Sequence, residues 1–206
     1  MLKSSSFLQH LFPHRVWSIS TEKKEMFLTF DDGPIPEVTP WVLDTLKTHK
    51  AKATFFCIGD NIKKYPELFQ QIIDEGHSVG NHTFNHLNGW KISSKNYLKN
   101  VEACKQEIEL YSAPTHLFRP PYGKCTSTQA KALKRDAQQI IMWDILSKDY
   151  KSSLSKEACF HRIERSASAG SIIVFHDSLK AEKNMKYALV KTLESFKEYT
   201  FSALKQ

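Results

Sequence analysis

Short apolar runs along this chain alternate with longer stretches in which apolar residues recur every three or four positions. The runs MFLTF (Met26–Phe30), ATFFCI (Ala53–Ile58) and SIIVF (Ser171–Phe175) carry no charge, which marks buried strands. Shorter runs at Ser78–Asn81, Leu117–Arg119, Gln139–Trp143 and Thr200–Leu204 bring the predicted strands to seven. Between them the spacing changes to that of helices. Val38, Val42 and Leu46 share one face of a helix over about 37–48. Leu98, Val101, Cys104, Ile108 and Tyr111 form a stripe on a helix that Ser94 would cap and that would stop before Pro114. Further helices are predicted over about 62–75, interrupted at Pro66 and ended by Gly76, and over about 127–136, 155–169 and 184–199. Asp60 is the expected cap of the first of these.

This alternation predicts an α/β fold with a mainly parallel sheet and outer helices. No linker interrupts it, so residues 25–206 read as one domain, preceded by an arm or short helix over 1–24. An eight-unit barrel takes about 250 residues, whereas this chain has 206. A reduced barrel and an open sheet both fit the pattern.

The polar clusters fall in a telling place. Asp31–Asp32, HTFNH (82–86), RPPYG (119–123), WDILSKD (143–149) and His176–Asp177 all follow predicted strands. In α/β folds the carboxyl ends of strands form the usual active-site edge. His82 and His86, four apart, can present imidazoles to one metal ion, and a carboxylate would complete a three-ligand site. Alone, two histidines in a polar loop can instead cap backbone groups, and DDG reads as a turn. A site needing both a ligand and a base gives the Asp doublet a second purpose.

Composition narrows the function. The chain is 41% hydrophobic and 25% charged, which suits a soluble globular protein. Its net charge is +7, but the lysines are scattered and no nucleic-acid-binding motif occurs, so no nucleic-acid partner is expected. The four cysteines (Cys57, Cys104, Cys125, Cys159) form no CxxC pair and read as small buried residues, with Cys125 the more exposed. No apolar run of 18 residues occurs, so no transmembrane segment is expected. The opening MLKSSSFLQHLFPHRVW lacks a clear signal-peptide core, which leaves a cytoplasmic location as the default expectation.

The clusters taken together resemble the five motifs of the polysaccharide deacetylase family, the NodB-homology domain or carbohydrate esterase family 4. TFDDGP (29–34), HTFNH, RPPYG, Asp149 after WDILSK and IVFHD (173–177) are similar to its motifs and stand in family order. The resemblance implies a distorted, incomplete (β/α)7-type barrel and a metal-dependent hydrolase of the N-acetyl amide of a glycan sugar. It implies Asp32, His82 and His86 as ligands of one divalent ion, Zn²⁺ by default, with Co²⁺ or another transition metal possible. It implies Asp31 as base, His176 as acid, Arg119 behind the base, Asp149 behind the acid and the Tyr122 N–H as oxyanion donor. Pro121, Tyr122, Tyr150 and Phe175 would line the acetyl pocket of a monomeric enzyme. Two positions depart from the family pattern. Phe175 stands where leucine is common and Tyr150 where tryptophan is, so the acyl group and the sugar are open at these points. Hydrolysis of another amide or of O-acetyl esters, and glycan binding without turnover, are the competing readings. Asp177 is expected to cap a neighbouring segment, His77 to be structural, and Phe55 and Phe56 to lie in the core. Trp90 and Trp143 are equally suited to substrate contact and to internal packing. Either X–Pro bond of RPPYG could be cis.

Overall fold

The computed structural model describes residues 11–111 and 115–205. The expected stop at Pro114 and the first ten residues of the N-terminal arm lie outside them. The strands are β1 (Arg15–Val16), β2 (Glu25–Asp31), β3 (Ala53–Cys57), β4 (Ser78–Asn81), β5 (Leu117–Phe118), β6 (Gln139–Ile141), β7 (Ile145–Leu146), β8 (Ile172–His176) and β9 (Thr200–Phe201). They pair in the order β1-β6-β5-β4-β3-β2-β8-β7, and β9 joins the start of β2. Every ladder is parallel.

β6 and β7 are separated by three residues yet belong to opposite ends of this order. The sheet is therefore curled round into a half-barrel, and the short link 142–144 spans its seam. Asp144 anchors that link: its carboxylate accepts from the Ile172 N–H and the Ser171 hydroxyl at 2.8 and 2.9 Å. The N-terminal segment lies in the same seam. β1 pairs with β6, and Ser18 bridges Ser171 at the start of β8. A distorted, incomplete (β/α) barrel is thus the observed architecture.

Period-two alternation divides each strand between two layers. Leu28, Phe30, Phe55, Val79, Ile173 and Phe175 pack outward in the main core, with helices α1 (Thr39–Thr48), α3 (Pro66–Asp74), α6 (Lys156–Glu164) and α7 (Glu182–Ser195). Phe27, Phe56, Leu117, Ile141 and Ile172 fill the interior of the barrel. A third cluster, including Tyr97, Val101, Phe118, Leu133 and Ile140, joins α4 (Ser94–Glu109) and α5 (Ser127–Arg135) to the sheet. Gly80 shows how tight the interior is. A Cβ there would lie 2.6 Å from the Phe56 ring, so the position admits no side chain. His77 is structural: its Nδ1 accepts from the Ala53 N–H at 3.1 Å, and burial pushes its pKa down to about 4.

Several boundaries differ from the sequence expectation. The helix expected over 62–75 is two helices, α2 (Gly59–Lys64) and α3, because Pro66 restarts the chain as a first-turn residue. Asp60 lies inside α2 and caps nothing there. Ser93, not Ser94, caps α4, accepting from the Asn96 N–H. Cys125 is buried at 4% exposure rather than exposed. α6 ends at Glu164 and α7 at Ser195, earlier than expected. The two-residue strands β1 and β7 are too short to leave a periodic signal. The cis X–Pro bond is Gly33–Pro34, not one within RPPYG.

Candidate active site

The five polar clusters meet at the carboxyl edge of the sheet. The register of β2 and β8 places Asp31 directly opposite His176, 145 positions away along the chain. Asp31, Asp32, His82, His86, Tyr122, Val174 and His176 line one cavity of about 600 Å³, a normal size for a small-ligand site. The backbone around it is unusual. Asp32, Thr83, His86, Tyr122 and Lys148 all have positive φ, between 53° and 85°. Non-glycine residues in this region cost of order 1–3 kcal/mol each where strained, and they cluster where function needs a fixed geometry.

Asp32, His82 and His86 offer ligand atoms that all lie within 4.8 Å of one another. Oδ1 of Asp32 is 3.2 Å from Nε2 of His86 and 3.8 Å from Nε2 of His82. That oxygen is buried but makes no properly directed hydrogen bond. A buried carboxylate oxygen facing two imidazole nitrogens, otherwise orphaned, fits a divalent cation. The second partners of these groups support the fit. Nδ1 of His82 lies 2.8 Å from the Arg119 carbonyl, which sets that nitrogen as the N–H and turns the lone pair of Nε2 inward. Burial lowers the His82 pKa to about 4, so the ring is neutral and able to ligate. Burial opposes ionisation of Asp32, but His86, His176 and His82 outweigh it and bring its pKa to about 2. Asn61 donates to the Asp32 carbonyl at 2.8 Å and holds the bend.

The other groups form two buried pairs. Arg119 is fully buried and donates from Nη1 to Asp31 Oδ1 at 2.7 Å. Its remaining donors reach the Thr29 hydroxyl, Ile141 O and Met142 O, and its guanidinium lies 4.1 Å from the Phe56 ring centroid. Four hydrogen bonds and one ring face hold the cation, the kind of pairing a buried charge requires. On the adjacent strand, Nδ1 of His176 is 2.8 Å from Asp149 Oδ1, while Asp149 Oδ2 accepts from the His176 N–H. Burial alone would lower the His176 pKa; the Asp149 carboxylate outweighs it and raises it to about 9. Asp177 binds the turn after Asp32 rather than the next helix: its oxygens accept from Gly33 N–H and Thr39 Oγ at 3.0 and 2.6 Å.

Two pocket residues are corrected. Phe175 is fully buried in the outer core, with its ring 5.7 Å from that of Phe30. His176 faces the cavity, so its neighbour in an extended strand faces away, and Val174, two residues back, lines the site instead. Pro121 is buried and does not line the cavity; Tyr122, Gly123 and Tyr150 do. Thr29 and Val174 lie within the motifs without an expected role, and Lys180 lies outside them. Alternation within LTFDD marks Thr29 as sharing Asp31's face, and alternation within IVFH marks Val174; nothing in the sequence marks Lys180. Phe175→Leu is expected to cost about 1–3 kcal/mol of stability through lost packing, read by thermal melting, with the cavity lining unaltered.

Known proteins are similar to this chain in sequence and fold. Residues 18–140 match the polysaccharide deacetylase family. A peptidoglycan-N-acetylglucosamine deacetylase of Bacillus cereus is 33% identical over 184 residues, covering 88% of this chain and 86% of that protein. The peptidoglycan-N-acetylmuramic acid deacetylase PdaC of Bacillus subtilis is 33% identical over 92% of this chain but only 40% of its own length. Among solved structures, a peptidoglycan N-acetylglucosamine deacetylase superposes with a TM-score of 0.86 at 30% identity, over 92% of this chain and 90% of the other. A pseudoenzyme of carbohydrate esterase family 4 from Bacillus anthracis superposes with a TM-score of 0.82 at 25% identity, over 92% of this chain and 67% of the other. The fold and the metal-binding constellation are those of a carbohydrate-directed, metal-dependent hydrolase. The chain belongs to the polysaccharide deacetylase family.

Proposed function

We propose that this protein removes the N-acetyl group from an N-acetylated sugar of an oligosaccharide or glycan. The observation that carries the reading is that Asp31, held by Arg119, and His176, held by Asp149, line one cavity beside the Asp32–His82–His86 cluster. Asp32, His82 and His86 would hold a divalent ion, Zn²⁺ by preference for the Asp–His–His donor set, which would supply Lewis-acid polarisation of the amide carbonyl and a more acidic water. Asp31 accepts the proton of the attacking water as general base, with its position fixed by Arg119. His176 donates a proton to the departing amine, and Asp149 keeps it charged and oriented. Amide cleavage needs both steps, because a sugar amine leaves poorly without protonation. The Tyr122 N–H is assigned to the developing oxyanion. Gly123 and Lys124 close their turn on Pro120 and Pro121 carbonyls, while no acceptor is found for the Tyr122 N–H among the described residues.

The direct test is incubation of the metal-loaded protein with N-acetylated oligosaccharides, measuring acetate and free sugar amine in equal amounts. Release of acetate from O-acetyl esters alone would overturn the bond assignment. Glycan binding without turnover under any divalent metal would make the protein a binding protein, like an inactive member of its family.

His176 also fixes a pH dependence. Its pKa is raised from 6.5 to about 9 by Asp149, against the opposing effect of burial. In the metal-free protein this pairing stabilises the fold fully below about pH 6.5 and is lost as pH rises through about 9. Thermal melts across that window should therefore show declining stability, and Asp149→Asn should remove the decline. In turnover assays the protonated His176 is the active form, so the alkaline limb should move to lower pH in Asp149→Asn. An alkaline limb at the same pH in both proteins would assign the acid to another group.

A further inference from the structure

A second cavity, of about 610 Å³, is lined by Ser152, Ser153, Ser155, Lys156, Lys180 and Lys183, among others. Lys180 also lines the catalytic cavity, so the two spaces meet at this side chain. Resting on the reading above, we propose that the second cavity is an accessory subsite for an anionic substituent, carboxylate or phosphate, on a sugar neighbouring the one deacetylated.

The charges support this. Three lysines face the cavity and one carboxylate does, that of Glu157. Glu157 is turned onto its own backbone N–H and Ser155, which hold its pKa down. Its contact with Lys156 is a loose 3.9 Å. Glu182, the acid nearest in sequence to Lys183, pairs with Lys186 at 2.6 Å instead. Among the described residues, no carboxylate lies within ion-pair reach of Lys180 or Lys183.

The wall is also preorganised. Asn184 is buried and donates to the carbonyls of Asp149, Lys151 and Leu154. These bonds tie the loop carrying the serines to α7 and to the residue that pairs with His176. A ligand entering here meets hydroxyl donors and ammonium groups on a fixed frame, which favours anion recognition over a merely solvated lysine face.

The test uses the metal-loaded full chain and three N-acetylated tetrasaccharides matched in length: neutral, carboxylated and phosphorylated. Expected is a preference of about tenfold in kcat/KM for one charged substrate over the neutral one, shrinking as salt approaches about 1 M. Which charged substrate is preferred identifies the anion. K156Q/K183Q should bring the ratio close to one, and K183E should invert it. A distant control, Lys47→Gln at the end of α1, should leave the ratio in place. Equal kcat/KM for all three substrates overturns the subsite but leaves deacetylation standing. If no substrate is turned over, the proposed function fails. Calorimetry with a tetrauronate and a phosphorylated tetrasaccharide, neither carrying an N-acetyl group, then decides the subsite alone: salt-sensitive binding of either that is lost in K156Q/K183Q supports it, and absence of binding of both overturns it.

Discussion

Asp31→Asn is expected to lower kcat by about 10²–10⁴-fold, the usual contribution of a positioned general base. Asn is close in size and keeps a carbonyl oxygen that can accept from Arg119 Nη1, now 2.7 Å from the carboxylate. The Thr29, Ile141 and Met142 contacts of Arg119 do not depend on residue 31. The variant should therefore fold. It should lose some stability, because a buried guanidinium without its counter-charge is costly, by up to about 3–5 kcal/mol where a pair is fully broken. Metal content should stay near that of the wild type, since Asp31 is not in the Asp32–His82–His86 cluster. The decisive comparison is kcat at equal metal occupancy. Unchanged kcat would show that another group takes the proton. A parallel loss of bound metal would show that Asp31 acts through the ligand set instead.

Removal of the divalent ion should abolish turnover, and Zn²⁺ or Co²⁺ should restore it. Each ligand position predicts a distinct loss. His82→Ala removes a neutral imidazole that is oriented by the Arg119 carbonyl, so it should weaken metal binding most clearly. Asp32→Ala removes the carboxylate that both imidazoles face. Equilibrium dialysis reads these losses without any assay of activity. Thermal melting gives a second readout, because a ligand bound only by the folded state raises stability by about 2.7 kcal/mol at 100 times its Kd. Chelator-resistant turnover by a metal-free protein would remove the basis of the proposed chemistry. Substitution of Arg119 is less informative as a test of mechanism. Its hydrogen-bonded partners span β2, β6 and the seam, so the variant is expected to unfold rather than merely slow.

Much of the site is legible in the sequence because its chemistry lies in local patterns. The runs ending in Asp31–Asp32 and in His176 read as strands, and that reading alone puts those residues at an active-site edge. The i, i+4 spacing of His82 and His86 points to a shared ligand. Tyr122 and Arg119 are legible through the RPPYG cluster, whose turn puts Tyr122 at φ 59°. Phe175 is misplaced by the family pattern although the sequence holds the correction. Once His176 is known to face inward, the period of a strand sends Phe175 outward and brings Val174 in.

By itself the sequence determined the strand–helix alternation, the family resemblance and the set of chemical groups. These depend on side chains within a few positions of one another. Only the tertiary structure decided which groups share a face and which charges are paired. The Asp31–His176 register, the seam between β6 and β7 held by Asp144, and the meeting of two cavities at Lys180 join residues far apart in the chain. Register and charge pairing are collective properties of the folded sheet, so no local pattern could encode them. The Arg119–Asp31 and Asp149–His176 pairs form only once the strands that carry them have come together.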